Sequence, residues 1–416
     1  MVMTTDPENR ALPADGDGWT GREIRQQPRL WRDVAAAVTA RRSATEAFLR
    51  PVLTRPGLRI LLTGAGTSAF AGEILAPGLT RDLRRRVDAV ATTDLVSNPR
   101  EYFAEDLPTL LVSFARSGDS PESVAATRLA DECLSECHHL VITCNSRGAL
   151  HLAHAGSPRS LVLAMPPESN DRGFAMTSSF TCMVLTALLT LRRSAPDKVV
   201  VERLAAAAEQ VLATRVAVAR QLAGRGHRRI VYLGSGALKG LARESALKVM
   251  ELTAGEVATW FDSPLGFRHG PKSVLDPGTL VVVYVSTDPY TRAYDLDMVR
   301  ELRGSAKGGV LVVTTTPVGD AADAPADGTW LVPVGAVGDG AVGAVGDAEV
   351  SLVFVLCAQL LALSLSTALG RTPDNPFVSG EVNRVVQGVT VHPLHRSHPP
   401  DGSHLPDGSD HVESSR

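Results

Sequence analysis

Short apolar runs alternate with longer amphipathic segments along most of the chain. The runs have the length of buried strands and lie at 59–63, 110–114, 139–143, 160–164, 229–233, 279–285, 309–314 and 330–333. Helix-like segments separate them, and strands that alternate with helices pair in parallel through crossover connections. The pattern therefore predicts an α/β fold with parallel sheets.

The eight predicted strands form two series that match at an offset of about 170 residues. The segment 62–67 (LTGAGT) resembles 233–237 (LGSGA), and each follows the first strand of its series. The sequence therefore predicts an internal duplication. The predicted bounds are a first domain at 21–195, a linking helix at 196–224, a second domain at 225–372, a C-terminal tail at 373–395, and disordered ends at 1–20 and 396–416. The low-complexity segment 335–348 is predicted to be a surface insertion.

Composition narrows the class of protein. The chain has 416 residues, of which 44% are hydrophobic and 21% are charged, and its formal net charge is −3. So small a charge gives no field that would attract nucleic acid or an anionic membrane. No apolar run reaches the length of a membrane span and no signal peptide is recognisable, so we expect a cytoplasmic protein.

Cysteine usage indicates reduced thiols. The five cysteines are Cys133, Cys137, Cys144, Cys182 and Cys357, and no spacing typical of a metal site accompanies them. Cys133 and Cys137 have the spacing of one helix face, but reduced core thiols are the preferred interpretation. We therefore expect no metal and no cofactor.

One loop carries the strongest chemical signal. The apolar run at 110–114 leads into a stretch rich in hydroxyls that contains Ser113, Arg116, Ser117 and Ser120. A proline and a glutamate suited to the first turn of a helix follow directly. A strand, a loop of small residues and a helix N-terminus form an anion site, because the first amides of the helix have no partner. The alternative is a capped turn that binds nothing.

Two further hydroxyls, Thr67 and Ser68, follow the first strand in the sequence GAGTS. In a parallel sheet they would lie beside the Ser117 loop, where the strand order reverses. A dinucleotide turn is the alternative, but no acidic residue ends a clear second strand, so one phosphate fits better. The second series has STDPYTRAYD at the equivalent loop, so one phosphate site is expected per chain.

Candidate proton-transfer groups lie in the second series. Glu244, Lys248 and Glu251 have the spacing of one helix face, and His269 follows between an arginine and Gly-Pro. Histidine and a carboxylate are the usual pair for proton transfer near neutral pH. The alternative is an exposed helix face with stabilising charge pairs and an exposed loop histidine.

These motifs together resemble the sugar isomerase (SIS) family. The pattern Ser-x-x-Arg-Ser-Gly-x-Ser-x-Glu-Ser is similar to its phosphate loop. The ordered set ESALKVME followed by HGP is similar to the catalytic segment in the isomerase half of glucosamine-6-phosphate synthase. The resemblance implies two tandem flavodoxin-like, three-layer αβα SIS domains, each with a parallel sheet.

The resemblance also implies roles for individual residues. Ser68, Ser117 and Ser120 match phosphate ligands, and Arg116 would add a charged contact. Glu251 matches the base that moves a proton between C1 and C2, with Glu244 and Lys248 at supporting positions. His269 matches a ring-opening histidine that reaches the site from a neighbouring subunit, which implies a homodimer or a higher homo-oligomer.

Three separate segments are similar to the AgaS group of galactosamine-6-phosphate deaminase/isomerases. They lie at 113–118, 174–181 and 374–389. In the last of them Gln387 replaces the lysine with which the synthase forms a Schiff base, and it is counted among the substrate-binding positions. The resemblance implies conversion of galactosamine 6-phosphate to tagatose 6-phosphate and ammonia. The alternatives are isomerisation of a ketohexose 6-phosphate without deamination, and a non-catalytic sugar-phosphate-binding protein.

Overall fold

The computed structural model describes residues 18–193, 195–318, 328–335, 337, 344–384, 386 and 388–394. It contains two parallel five-stranded sheets. The strands of the first sheet are β1 (Arg59–Thr63), β2 (Val87–Ala89), β3 (Thr109–Ala115), β4 (Cys137–Thr143) and β5 (Ser160–Ala164). Those of the second are β6 (Arg229–Leu233), β7 (Ala258–Asp262), β8 (Thr279–Tyr284), β9 (Val310–Thr314) and β10 (Thr329–Leu331).

Both sheets have the same strand order. The first runs β2-β1-β3-β4-β5 and the second β7-β6-β8-β9-β10. This is the flavodoxin-like order, in which the chain reverses direction across the sheet between the first and third strands. The predicted fold class of two α/β domains with parallel sheets is therefore confirmed.

Helices cover both faces of each sheet. In the first half they are α1 (Gly18–Ala40), α2 (Arg42–Leu53), α3 (Thr67–Leu83), α4 (Thr92–Ser97), α5 (Pro99–Tyr102), α6 (Pro121–Cys133), α7 (Ala149–His154) and α8 (Ser178–Leu191). The later helices are α9 (Lys198–Ala223), α10 (Ala237–Leu252), α11 (Pro264–Phe267), α12 (Pro289–Ser305) and α13 (Asp347–Ala368). The long helix α9 lies at the predicted link.

The two halves share one hydrophobic core. Residues of β1, β3 and α3 belong to the same buried cluster as residues of β6, β8 and α10. Gly240 on α10 explains how closely the halves approach, because a Cβ there would lie 2.9 Å from the backbone nitrogen of Ile74 on α3. The halves are therefore packed helix against helix through α3 and α10.

Helix α13 corrects the expectation that no segment is long enough to span a membrane. By length and composition it qualifies, but 94% of its most apolar window is buried inside the protein. It is a core helix that packs against α9 and α10. Apolar residues all round a helix are typical of such burial.

Other boundaries also differ from the sequence predictions. Strands β2 and β7 were missed, since both are edge strands that are only partly buried and lack an apolar run. Residues 18–20 belong to α1, so the first predicted end is too long. Asp347 begins α13 and Val345 is fully buried, so 335–348 is not simply a surface insertion.

Cys133 ends α6 whereas Cys137 begins β4, so they share no helix face. All five cysteines are free thiols.

Candidate active site

The point of reversal in the first sheet lies between the carboxyl ends of β1 and β3. Helix α3 begins there at Thr67, after Gly66 with φ of 55°, and no side chain caps its first amides. Helix α6 begins nearby after Ser120, whose hydroxyl donates to Glu122 (2.6 Å) instead of capping the helix. Among the described residues, no side chain caps either of these two helix N-termini, which leaves their amides available to an anion.

The predicted hydroxyls differ in their access to this position. Thr67 and Ser68 are buried at the start of α3, whereas Ser117 and Ser120 are partly exposed in the loop. The loop is held in place by Asn145, whose side-chain amide donates to the carbonyl oxygen of Ser117 (2.8 Å). Asn145 was not predicted, because it follows a different strand and only the sheet brings it to the loop.

Ser113 is placed differently. It lies inside β3, two residues before the strand ends, and its hydroxyl is buried without a hydrogen-bond partner among the described residues. The structure thus puts it in the sheet and not in the anion loop.

The equivalent loop of the second half already holds a carboxylate. Asp347 accepts hydrogen bonds from the Ser286 hydroxyl (2.6 Å), the Thr287 amide (2.7 Å) and the Thr287 hydroxyl (2.8 Å). Asp288 caps α12 by accepting from the Thr291 amide (2.8 Å). An internal carboxylate thus takes the donors that a bound anion would need, which supports the expectation of one phosphate site per chain.

Helix α10 brings its charged face to the N-terminus of α3. The Lys248 ammonium donates to the Thr67 hydroxyl (3.0 Å) and to the carboxylate of Glu251. Its Nζ lies 3.5 Å from the carboxylate of Glu244. Glu244 and Lys248 are fully buried, and Glu251 retains 24% of its side-chain exposure. The interpretation of this face as a solvated one is therefore wrong.

The electrostatics of this group follow from its burial. Burial raises the pKa of Glu244 to about 8, although Lys248 opposes the shift. Burial also disfavours the charge on Lys248, but Glu244 and Glu251 outweigh it and raise the pKa of Lys248. With one proton bound to Glu244, the three side chains together carry no net charge, and Lys248 pairs with Glu251. The most exposed carboxylate, Glu251, is thus the one available to a ligand.

His269 comes from a different element of the same chain. It is exposed in the loop after α11, and its ring has no hydrogen bond or ion pair with any described residue. Three large apolar side chains of the second half are also exposed by 43–47%: Met250 on α10, Trp260 on β7 and Leu265 on α11.

The C-terminal tail crosses to the first half. Asp374 accepts hydrogen bonds from the Trp19 and Thr20 amides at the start of α1 (2.7 and 2.8 Å). Arg116 is buried and donates to the carbonyl oxygen of Arg384 (2.7 Å) and less closely to that of Phe174 (3.4 Å). Arg116 thus holds the tail.

Other contacts of the tail involve residues that sequence reasoning left without a role. Arg384 donates to the carbonyl oxygen of Asp171, and Phe377 packs on Phe174 with ring centres 5.1 Å apart. Gln387 lies outside the described residues.

Comparisons with known proteins agree with this architecture. The chain is 58% identical to AgaS of Streptomyces coelicolor over 395 residues, which cover 94% of this chain and all of the relative. The chain belongs to the AgaS family. It is also 46% identical over 390 residues to the Escherichia coli AgaS that is named D-galactosamine-6-phosphate deaminase, covering 93% and 99% of the two chains. No family model matches the sequence.

A solved structure has the same fold over most of the chain. The crystal structure of tagatose-6-phosphate ketose/aldose isomerase from E. coli superposes with a TM-score of 0.82 at 44% identity. The match covers 92% of this chain and 99% of that chain. The two-sheet architecture is therefore shared with this E. coli protein.

Proposed function

We propose that this AgaS protein deaminates galactosamine 6-phosphate to tagatose 6-phosphate and ammonia. The observation that carries the proposal is the position of Lys248, which bonds Thr67 at the start of α3 and Glu251 on α10. It joins the anion loops of the first half to a partly exposed carboxylate from the second. A sugar phosphate requires both, an anchor for its phosphate and a base for its reacting carbons.

The phosphate would bind at the uncapped starts of α3 and α6. The hydroxyls of Ser68, Ser117 and Ser120 are the ligands we propose, together with the first amides of both helices. Arg116 is held by the tail and not turned freely to solvent. We therefore assign it the positioning of the tail over the loop, in place of the direct phosphate contact that the sequence predicts.

Glu251 is the proposed base. His269 first helps to open the ring to the free aldehyde, and Glu251 then takes the proton from C2 to form an enolamine. Return of that proton to C1 gives the 2-imine of the ketose phosphate. Water adds to C2, the C–N bond breaks, and ammonia leaves with tagatose 6-phosphate. The substrate brings its own nitrogen, so no imine with the protein is required.

Since no hydrogen bond or ion pair among the described residues joins His269 to Glu251, we propose that His269 acts in the site of a second copy. Mixing inactive His269→Ala and Glu251→Gln proteins would restore about a quarter of wild-type activity, because half of the chains would enter mixed dimers with one intact site each. No recovery after subunit exchange would refute the exchange of His269.

A simple isomerase is the second candidate, and the E. coli structure named tagatose-6-phosphate ketose/aldose isomerase favours it. The same base and histidine would interconvert an aldose and a ketose. A coupled ammonia assay with galactosamine 6-phosphate and glucosamine 6-phosphate, beside an isomerase assay with tagatose 6-phosphate, separates the two. Isomerisation without ammonia from either amino sugar would refute deamination. Since the substrates are intracellular phosphate esters, we place the reaction in the cytoplasm.

Glu251→Gln tests the catalytic assignment. A positioned base contributes about 10²–10⁴-fold, so kcat is expected to fall by that factor while inorganic phosphate still inhibits or binds. The matched control is Glu256→Gln, which changes an exposed glutamate that pairs with Arg371 just beyond the same helix. Wild-type kcat in Glu251→Gln would remove this residue from the role of base.

A further inference from the structure

A cluster of metal-ligating side chains lies at the opposite end of the first sheet. Cys137 and His139 are two residues apart on β4, so their side chains lie on the same face of the strand. Asp131 comes from α6, which packs on that face. One ligand atom from each of the three lies within 4.8 Å of those of the other two.

The donors of this cluster are the set that zinc prefers. A thiolate, an imidazole and a carboxylate bind Zn²⁺ in tetrahedral geometry, with a water in the fourth position. Cys137 and His139 are buried, whereas Asp131 is 37% exposed at its side chain. The site is therefore closed towards the core and open to solvent at one side, where a metal ion can enter.

His139 has unused capacity for a ligand. Its Nε2 lies 3.1 Å from the Asp131 carboxylate, but its Nδ1 is buried and has no partner among the described residues. The His154 ring packs 4.5 Å from the His139 ring and is itself held by Ser160 (2.9 Å). The imidazole is therefore held in place before any metal binds.

We propose that Asp131, Cys137 and His139 form a zinc site that ties the end of α6 to the start of β4. It would take no part in the sugar-phosphate reaction, because six strand residues, or roughly 20 Å, separate Cys137 from the carboxyl end of β4 beside the anion loop. Binding replaces the proton of the Cys137 thiol, which is released to solvent. Arg159, 3.7 Å from Asp131 and half exposed, would turn away from the bound ion.

Cobalt provides the test, because a cysteine thiolate bound to Co²⁺ gives an intense charge-transfer absorption. The full-length protein is titrated with Co²⁺ alone, and Zn²⁺ is then added to displace it. We expect one equivalent of Co²⁺ with a thiolate band that Zn²⁺ abolishes. Cys137→Ser should lose the band, whereas Cys133→Ser, the matched control four residues earlier, should keep it.

The C-terminal histidines at 392, 395, 398, 404 and 411 can also bind metal, but no cysteine lies among them. Cobalt binding without a thiolate band would therefore be binding by the tail, and it would overturn the proposal. A band that persists in Cys137→Ser would overturn it as well. If that variant does not fold, His139→Gln is titrated in its place. Its affinity for Co²⁺ should fall by more than the roughly 10–100-fold that the loss of an outer-shell residue costs. Deaminase activity of the folded variants should stay within twofold of wild type.

Discussion

The protonation of Glu244 can be measured through the pH dependence of stability. In the folded protein burial raises the pKa of this carboxyl to about 8, from a value of 4.5 in the absence of structure. Between these values the folded state binds a proton that the unfolded state has lost. Stability must therefore fall as the pH rises through this window. Glu244→Gln replaces the protonated carboxyl with a neutral group of the same shape and removes this dependence.

The size of the effect follows from the shift. Each pH unit inside the window costs the wild type about 1.4 kcal/mol, and the ends of the window are partly titrated. From pH 5 to pH 8 the loss due to Glu244 is roughly 3 kcal/mol. The two proteins should be about equally stable at pH 5, and the variant should be the more stable one at pH 8.

Urea unfolding of both proteins at pH 5, 6, 7 and 8 measures this difference. Groups such as Glu23, whose pKa burial also raises to about 8, titrate equally in both proteins and cancel in the comparison. Glu46→Gln, at an exposed glutamate on α2, is the control and should follow the wild type. Parallel curves for wild type and Glu244→Gln would refute the assignment of the proton to Glu244.

Three further substitutions test the packing around the site by urea unfolding. Asp347→Ala should lower the free energy of unfolding by about 2–4 kcal/mol, because it leaves three buried donors without a partner. The control Asp297→Ala, on the surface of α12, should change little. Equal effects of the two substitutions would contradict the role of Asp347. Gly240→Ala should cost about 1–3 kcal/mol through overpacking against α3, whereas Gly304→Ala, with open space around it, should stabilise by about 0.5–1 kcal/mol. Asp374→Ala should cost about 1 kcal/mol by uncapping α1, and an unchanged midpoint would show that the tail docks without it.

Local pattern predicted the fold well because buried parallel strands are continuous apolar runs. Eight of the ten strands have such runs, and β1, β5 and β6 match the predicted bounds to the residue. Strands β2 and β7 were missed because their residues are mixed and only partly buried. The edge position alone is not the reason, since β5 and β10 are also edge strands and their apolar runs were recognised. Periodicity thus identifies a strand by its apolar run, wherever the strand lies in the sheet.

The candidate site shows a different limit. The spacing of Glu244, Lys248 and Glu251 correctly puts them on one helix face, but it does not say what packs on that face. Helix α3, about 170 residues earlier in the chain, packs on this face and excludes water from Lys248. Arg384 was missed similarly, because its contact with Arg116 joins two segments 268 residues apart. Long-range packing of this kind leaves no periodic signal in either segment.

The internal duplication explains why the chain keeps one site and not two. Helices α3 and α10 occupy equivalent positions in the two halves and pack antiparallel, with Thr67 near Lys248 and Glu73 near Gly240. The duplication therefore creates a second, equivalent position, at which the start of α10 lies beside the end of α3. A cleft of about 300 Å³ lies at that second position and is lined by Gly78, Arg81 and Ala237.

The second cleft differs from the first at each position that matters for chemistry. With the offset of 170 residues between the halves, Gly78 is the equivalent of Lys248 and Arg81 is the equivalent of Glu251. The second cleft therefore has neither the lysine ammonium nor the glutamate base at these positions. The donors of its anion loop are taken by Asp347. In the site that we propose, each half contributes one part, the anion loops from the first and the charged face of α10 from the second. The contact between α3 and α10 brings these two parts together.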